Sequence, residues 1–358
     1  MQHRYASAIS ATKRQLKKLI LVLIALAFVI PMYGSTAFAK TYRWRVQHPW
    51  PSGSMYDNET KALVQSIKEM SDGRLDITMF GVGTLAGTLE SLDSISKGVY
   101  EGHISVPVYW SGKMPVGTFL QGVTGGISTV DDWSAWYYKY GGLEIAREAY
   151  KKFKVYYVAP IFNSANTPTF TRKEKPVRTL DDFKGLKLRS TAGLQSQLVE
   201  ALGASPVWMP VQDVYTALET GVIDGVTAFS ITGWKNMGIQ EIASWSIEPG
   251  FILPHCALEF CVSEKAWNNL PRDLQLILES AVRQWSYDFF SFGLIEDAKS
   301  YQVMKEAGVK PSKLTDEEMT KVYEIARRLA DAYAEKDSLA HKAWESQKAY
   351  LQLVGKLQ

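Results

Sequence analysis

Arg189 is the residue whose type and place point most directly to chemistry. It closes the segment Lys184-Gly185-Leu186-Lys187-Leu188-Arg189, and Ser190-Thr191-Ala192-Gly193 follow before an apolar helical pattern begins. An arginine at the carboxyl end of a strand, just ahead of a helix N-terminus, stands where open α/β sheets bind anions. Its guanidinium can grip a carboxylate through two parallel hydrogen bonds, which lysine cannot copy. The same residue type serves equally in a surface ion pair, and spacing alone leaves both roles open. Tyr109, Trp110, Phe170, Trp208, Phe229 and Trp234 are aromatics that could wall an apolar pocket, although each could also be ordinary core.

Other patterns offer less. Gly81-Val82-Gly83-Thr84-Leu85-Ala86, with Glu101 about 20 residues on, imitates a dinucleotide fingerprint. That fingerprint belongs to the first strand of its unit, whereas here a strand and a helix come before it, so a Gly-rich turn is expected. No Gly-x-Ser-x-Gly, His-Glu-x-x-His or Cys-x-x-Cys is present. His48, His103, His255 and His341 are scattered and read as core or surface residues. Cys256 and Cys261 on an extended strand would lie about 16 Å apart, against the roughly 7 Å a disulfide allows, so two buried thiols are expected. The expectation is a protein that is not an enzyme and that takes no cofactor and no metal.

The charge balance narrows the partners. The 358 residues carry a formal net charge of +3 from 40 basic and 37 acidic side chains. Five of the basic ones, Arg4, Lys13, Arg14, Lys17 and Lys18, fall in residues 1–39, which hold no acid, so the remainder sets 35 basic residues against 37 acidic. No nucleic-acid partner is expected of such a body. The same N-terminal stretch has the basic region, the apolar run Leu19–Ile30 and the small-residue site Ala37-Phe38-Ala39 of a secretory signal. The run is far shorter than the roughly 20 residues that span a bilayer. Cleavage after Ala39 and an exported protein not embedded in the membrane are expected, and nicotinamide cofactors are then out of reach.

The elements that must position Arg189 alternate. Tyr42, Trp44 and Val46 alternate with Arg43 and Arg45 as a half-buried strand, Leu63, Ile67 and Met70 recur at helical spacing up to Gly73, and Leu75, Ile77 and Met79 make a second strand. A helix around 89–96, a strand around 104–108, one long aromatic helix around 132–153 and a strand at 155–158 follow. A second unit starts after Asn163, with strands at 187–189, 207–209 and 222–227 and helices at 194–202 and 214–218. One more strand, 257–262, precedes long helical segments from Pro271 onward, whose Val322, Ala326, Leu329 and Tyr333 suit a helix packed on a lobe. This order predicts an α/β fold of two lobes, with mostly parallel sheets and a helical tail.

Further residues carry a resemblance. Gly87-x-x-Glu90-Ser91-Leu92 with Lys97-Gly98, Phe183 to Arg189, Gly203-Ala204-Ser205-Pro206, Val214 to Glu219 with Gly221-x-x-Asp224-Gly225, and Ala266-Trp267-x-x-Leu270-Pro271 occur in order. With them the chain resembles the solute-binding proteins of TRAP (tripartite ATP-independent periplasmic) transporters, the DctP family, over nearly all of its length after residue 41. The resemblance implies a two-lobed periplasmic binding protein fold with a long hinge-spanning helix, closing on a small solute for delivery to a TRAP membrane permease. It implies lobe I at 40–163 and 251–292 and lobe II at 164–250 and 293–358. Arg189 matches the family's carboxylate-binding arginine. Pro107 to Lys113 looks like the branch that binds α-keto acids and related monocarboxylates, where an aromatic pair lines the pocket; here Val108 and Tyr109 stand at those positions. That branch often has a Glu-Trp pair whose carboxylate helps hold a metal ion, and the matching positions are Thr227 and Ala228, so a metal-free monocarboxylate site is expected.

The implied ligand residues are Arg189, Tyr109, Asn166, Phe229, Trp234, Trp110 and Thr227. Two alternatives stand beside a transport receptor: a receptor reporting to a sensor system, and an exported enzyme on a similar scaffold. The enzyme would need a base near Arg189, for which Asp213, Asp224 and His255 are the candidates.

Overall fold

The computed structural model describes residues 14–18, 20, 40–163, 167–191, 193–209, 211–227, 229–253 and 256–357. Residues 42–358 form one compact unit built on two sheets. Its strands are β1 (Tyr42–Gln47), β2 (Leu75–Phe80), β3 (Gly102–Ser105), β4 (Val155–Asn163), β5 (Thr169–Arg172), β6 (Lys187–Arg189), β7 (Ser205–Val207), β8 (Gly225–Val226), β9 (Ala243–Ile247), β10 (Cys256–Ser263) and β11 (Lys310–Ser312). The first sheet runs β2-β1-β3-β10-β4 and the second β11-β9-β5-β8-β6-β7. The chain passes from the first sheet to the second between β4 and β5 and returns between β9 and β10.

Both sheets are mixed, which corrects the expectation of mostly parallel ones. β1 pairs in parallel with β2 and β3, but β10 runs antiparallel to both β3 and β4. In the second sheet β6 is parallel to β7 and β8, while β5 is antiparallel to β8 and β9. The physical reason is the crossing itself: a strand that returns from the other lobe enters its sheet from the opposite end. β5 and β9 carry Thr, Ser and Trp in short runs without clear alternation, and the sequence pattern does not disclose them.

Local chemistry explains other departures. The strand expected at 104–108 ends at Ser105, because Pro107 opens a 3-10 turn, Pro107–Trp110. The long aromatic helix divides into Val130–Lys139 and Gly142–Lys151 at Gly141, whose φ of +90° an L side chain rarely adopts. The strand expected at 207–209 lies two residues earlier, as β7, and the one expected at 222–227 shortens to β8. The Gly81–Ala86 segment is a turn pinned by Gln47, whose side chain accepts from the Leu85 and Ala86 amides and donates to the Ala86 carbonyl.

The first sheet separates two apolar cores. One holds Trp110, Phe119, Trp133, Trp136 and Trp344, and the other holds Trp44, Leu63, Phe260, Trp267 and Trp285. The 35-residue helix Arg272–Glu306 packs on β4 and Met55–Met70, and also on the second-lobe helix Ile231–Asn236, so it spans both lobes. The next helix, Asp316–Ala334, buries Val322, Ala326 and Tyr333 and lies on the second-lobe helix Leu194–Ala201, as a lobe-packing helix should. The last helix, Ser338–Leu353, packs on Asp316–Ala334 and on the helices Gly117–Gln121 and Gly142–Lys151.

Candidate functional site

Arg189 ends β6 between two parallel neighbours, opposite Val207 of β7 and Val226 of β8. It is 6% exposed. Its carbonyl accepts from the Thr227 amide at 3.0 Å, and its Nη1 donates to the Thr227 carbonyl at 3.4 Å. The guanidinium lies 5.6 Å from the ring centre of Trp234. Among the described residues no carboxylate pairs with it, and its Nε is buried without a hydrogen-bond partner. Burial pulls the guanidinium below the ordinary arginine pKa, and Tyr109 acts in the opposite direction. Desolvating a charge without a counter-ion is costly, and among the described residues no carboxylate offsets that cost for Arg189.

The polar atoms around it are uncompensated too. Ser190 Oγ, Thr191 Oγ1, Gln195 Oε1 and Trp234 Nε1 are buried with no partner among the described residues. Each such group costs about 1–3 kcal/mol unless something bonds to it. Trp234 is fully buried on the helix Ile231–Asn236, with Phe229 edge-on at 5.0 Å. A Cβ on Gly233 would come within 2.2 Å of the Phe229 ring, so this glycine makes the pairing possible.

The other lobe meets this ground. Val108 Cγ2 would lie 3.5 Å from a Cβ on Gly193, and Gln195 donates across to the Gly122 carbonyl at 3.3 Å. Tyr109, 37% exposed on the 3-10 turn, is the aromatic that acts on Arg189 from that side. Tyr56, on the first-lobe helix Met55–Met70, comes near Ser230 and Thr232 of the second lobe, and burial, foremost, pushes its hydroxyl up to about 12.

The remaining candidates sort as follows. Thr227 is fully buried and takes a hydrogen bond from Thr169 Oγ1 at 3.3 Å. Trp110 turns into the first-lobe core, where its indole N–H donates to Glu259 at 2.7 Å, so it is committed away from Arg189. Phe170 is second-lobe core, and Trp208 is 60% exposed. Asn166, His255 and Ala228 lie outside the described residues. Of the suggested bases, Asp224 is spent on the Lys187 amide and Arg172, and Asp213 is exposed. His48 bonds Asp57, His103 bonds Glu259 and Ser91, and His341 bonds Glu335 at the surface.

Residues 46–337 match the family of bacterial extracellular solute-binding proteins, family 7, or DctP. The chain belongs to this family. Among relatives, it is 29% identical over 311 residues to a monocarboxylate 2-oxoacid-binding periplasmic protein of Nostoc sp., covering 86% of this chain and 84% of that one. Among solved structures, it is similar to two TRAP periplasmic solute-binding proteins. That of Colwellia psychrerythraea, with bound calcium and pyruvate, shows 28% identity and a TM-score of 0.80, covering 88% of this chain and 95% of that one. That of Pseudoalteromonas atlantica, with bound sodium and pyruvate, shows 30% identity and a TM-score of 0.79 over the same shares. Family and fold are those of solute receptors, and among the described residues no helix is long and apolar enough to cross a membrane.

Both structures carry a cation as well as pyruvate. Calcium takes six to eight oxygen ligands, carboxylates foremost. Here Thr227 is buried beside Arg189, Asp224 is already bonded, and no described carboxylate pairs with Arg189. Among the described residues the one cluster of three metal-type side chains is His103, Glu259 and Cys261, all buried in the first lobe. Glu259 there already takes hydrogen bonds from Trp110 and Tyr150, and burial, with Glu259 adding to it, raises the Cys261 thiol well above its usual range. The described residues around Arg189 do not fit a carboxylate-held cation. Sequence reasoning missed Ser190, Thr191 and Gln195, although the first two adjoin Arg189 and carry hydroxyls.

Proposed function

We propose that this chain is an exported receptor that binds a small organic monocarboxylate between its lobes and hands it to a TRAP membrane permease. The observation that carries the reading is Arg189: a buried guanidinium with no carboxylate partner among the described residues, with the unpartnered Trp234 indole beside it and the unpartnered Ser190 hydroxyl next in sequence. A ligand carboxylate would supply the missing charge, and a second polar group on the ligand would satisfy Trp234 Nε1 or Ser190 Oγ. Tyr109, Phe229, Trp234 and Thr227 would line the pocket, and Asn166 is kept as a further ligand residue. The pyruvate in the similar structures and the 2-oxoacid of the Nostoc relative support a monocarboxylate. Closing lobes and an unpartnered arginine suffice for capture; no bond need be made or broken, and the reading is of a receptor rather than an enzyme. Removal of residues 1–39 after Ala39 would release it outside the inner membrane.

The test is isothermal titration of protein from Lys40 onward with pyruvate and other monocarboxylates, with and without calcium. Arg189→Ala is expected to weaken binding at least about thirtyfold, the loss typical of one half of a buried charge pair. Binding is expected without added calcium, and metal analysis of the purified complex should find no stoichiometric cation. Carboxylate binding that survives Arg189→Ala overturns the anchor, and a stoichiometric cation overturns the metal-free reading.

A further inference from the structure

We propose that Glu259, in the middle of the first sheet, is a positioning residue for the ligand site, acting through Trp110 on Tyr109. This rests on the reading of Arg189 and Tyr109 as site residues. Glu259 belongs to β10, which is flanked by β3 and β4, and it is fully buried. It is the one acidic residue in the strand Ala257-Leu258-Glu259-Phe260-Cys261-Val262. An acid there costs stability unless its oxygens are bonded.

They are bonded, and to three different elements. Oε1 accepts from the Trp110 indole at 2.7 Å and lies 3.1 Å from His103 Nε2 on β3. Oε2 accepts from the Tyr150 hydroxyl on the helix Gly142–Lys151. His103 Nδ1 is 2.8 Å from Ser91 Oγ, which is 2.7 Å from the Tyr100 hydroxyl. The His103 ring lies nearly parallel to Trp110, 5.7 Å away at 9°. Apolar residues of similar volume would fill this space at no loss of stability. What a satisfied buried network adds is one fixed geometry.

The member of that network in ring contact with Tyr109 is Trp110, the last residue of the turn Pro107–Trp110. Its ring backs Tyr109, which meets it edge-on at 6.2 Å and 85°. The turn is tight: the Tyr109 amide donates to Val106 and that of Ser111 to Val108, and Gly117 approaches the Pro107 carbonyl so closely that a Cβ would sit 2.4 Å from it. With the indole tethered, the turn has one rotational setting, and Tyr109 keeps its place toward Arg189. Without the tether, the ring supporting Tyr109 can swing.

The test uses Glu259→Leu, which removes the acceptor, Glu259→Gln, which keeps one, and Trp110→Phe, which removes the indole N–H together with part of the ring. Hydrogen exchange of residues 107–113 reads the turn without any ligand. Glu259→Leu and Trp110→Phe should speed exchange there at least tenfold, and Glu259→Gln should restore it to within about threefold of wild type. Titration with pyruvate reads the site: Glu259→Leu should weaken it at least tenfold, but less than twofold when Tyr109→Ala is already present. Unchanged exchange at 107–113 in Trp110→Phe, or equal losses with and without Tyr109, overturns the proposal. Failure of pyruvate to bind wild type, or its survival in Arg189→Ala, overturns the underlying site instead, and the exchange measurement still decides the role of Glu259. Should Glu259→Leu fail to fold, Trp110→Phe and Glu259→Gln carry both readouts.

Discussion

Arg189 is a buried guanidinium without a described carboxylate partner. In the ligand-free protein its charge is 6% exposed, faces an indole, and has no described carboxylate to offset its desolvation. Replacing it with an apolar side chain of similar length should therefore stabilise the empty protein, as sites built for function often cost stability. Arg189→Met is expected to raise the unfolding free energy of the ligand-free form by about 1–4 kcal/mol, the range seen when buried ionic groups give way to packed apolar ones. Urea denaturation measures it, and a less stable variant would show that Arg189 is already compensated. Wild type with ligand at a hundred times Kd regains about 2.7 kcal/mol, so the order of the two proteins narrows or reverses on loading.

At the scale of elements, the register of β5, β6 and β8 places Arg189, and Asp224 ties that register. Its Oδ2 accepts from the Lys187 amide at 2.9 Å, and its Oδ1 from Arg172 at 3.1 Å. Burial alone would push its pKa up, but these bonds and the charge of Lys175 outweigh it and hold the carboxyl below the usual range. A folded-state pKa below the unfolded one means stability that is present above about pH 4 and is lost as pH falls through the folded value. Asp224→Asn is thus expected to cost about 1–3 kcal/mol at pH 7. The gap to wild type should narrow as the pH falls through the folded-state value. Denaturation midpoints at pH 7 and in acid check this; a gap that persists in acid would mean the shape of the side chain matters and not its charge.

For the whole molecule the question is what holds two lobes together around a small anion. A ligand shifts the balance toward closure only by its differential affinity for the closed form. Tyr56, reaching from a first-lobe helix to Ser230 and Thr232, and Asn236, donating to Met55 Sδ at 3.3 Å, are contacts made across that boundary. Tyr56→Phe removes one hydroxyl and should weaken ligand binding about two- to tenfold, the worth of one hydrogen bond. It should do so mainly through faster dissociation, measured by stopped-flow fluorescence; an unchanged off-rate would place Tyr56 outside the closing surface.

Alternation of apolar residues along Tyr42–Val46 and Leu75–Met79, and helical spacing through Leu63, Ile67 and Met70, disclosed the α/β class because these periods are properties of the local chain. The position of Arg189 was legible for the same reason: a strand end before a helix start is a local event. The family, too, could be read from short motifs in order. Tertiary structure alone decided what lies far apart in sequence and close in space. The returning strands made both sheets mixed, the last helix came to pack on Gly117–Gln121 and Gly142–Lys151, and Trp110 turned to Glu259, 149 positions further along the chain, while its neighbour Tyr109 stayed exposed. One chain position separates those two aromatics, and no periodicity distinguishes them; a buried acceptor on another strand does.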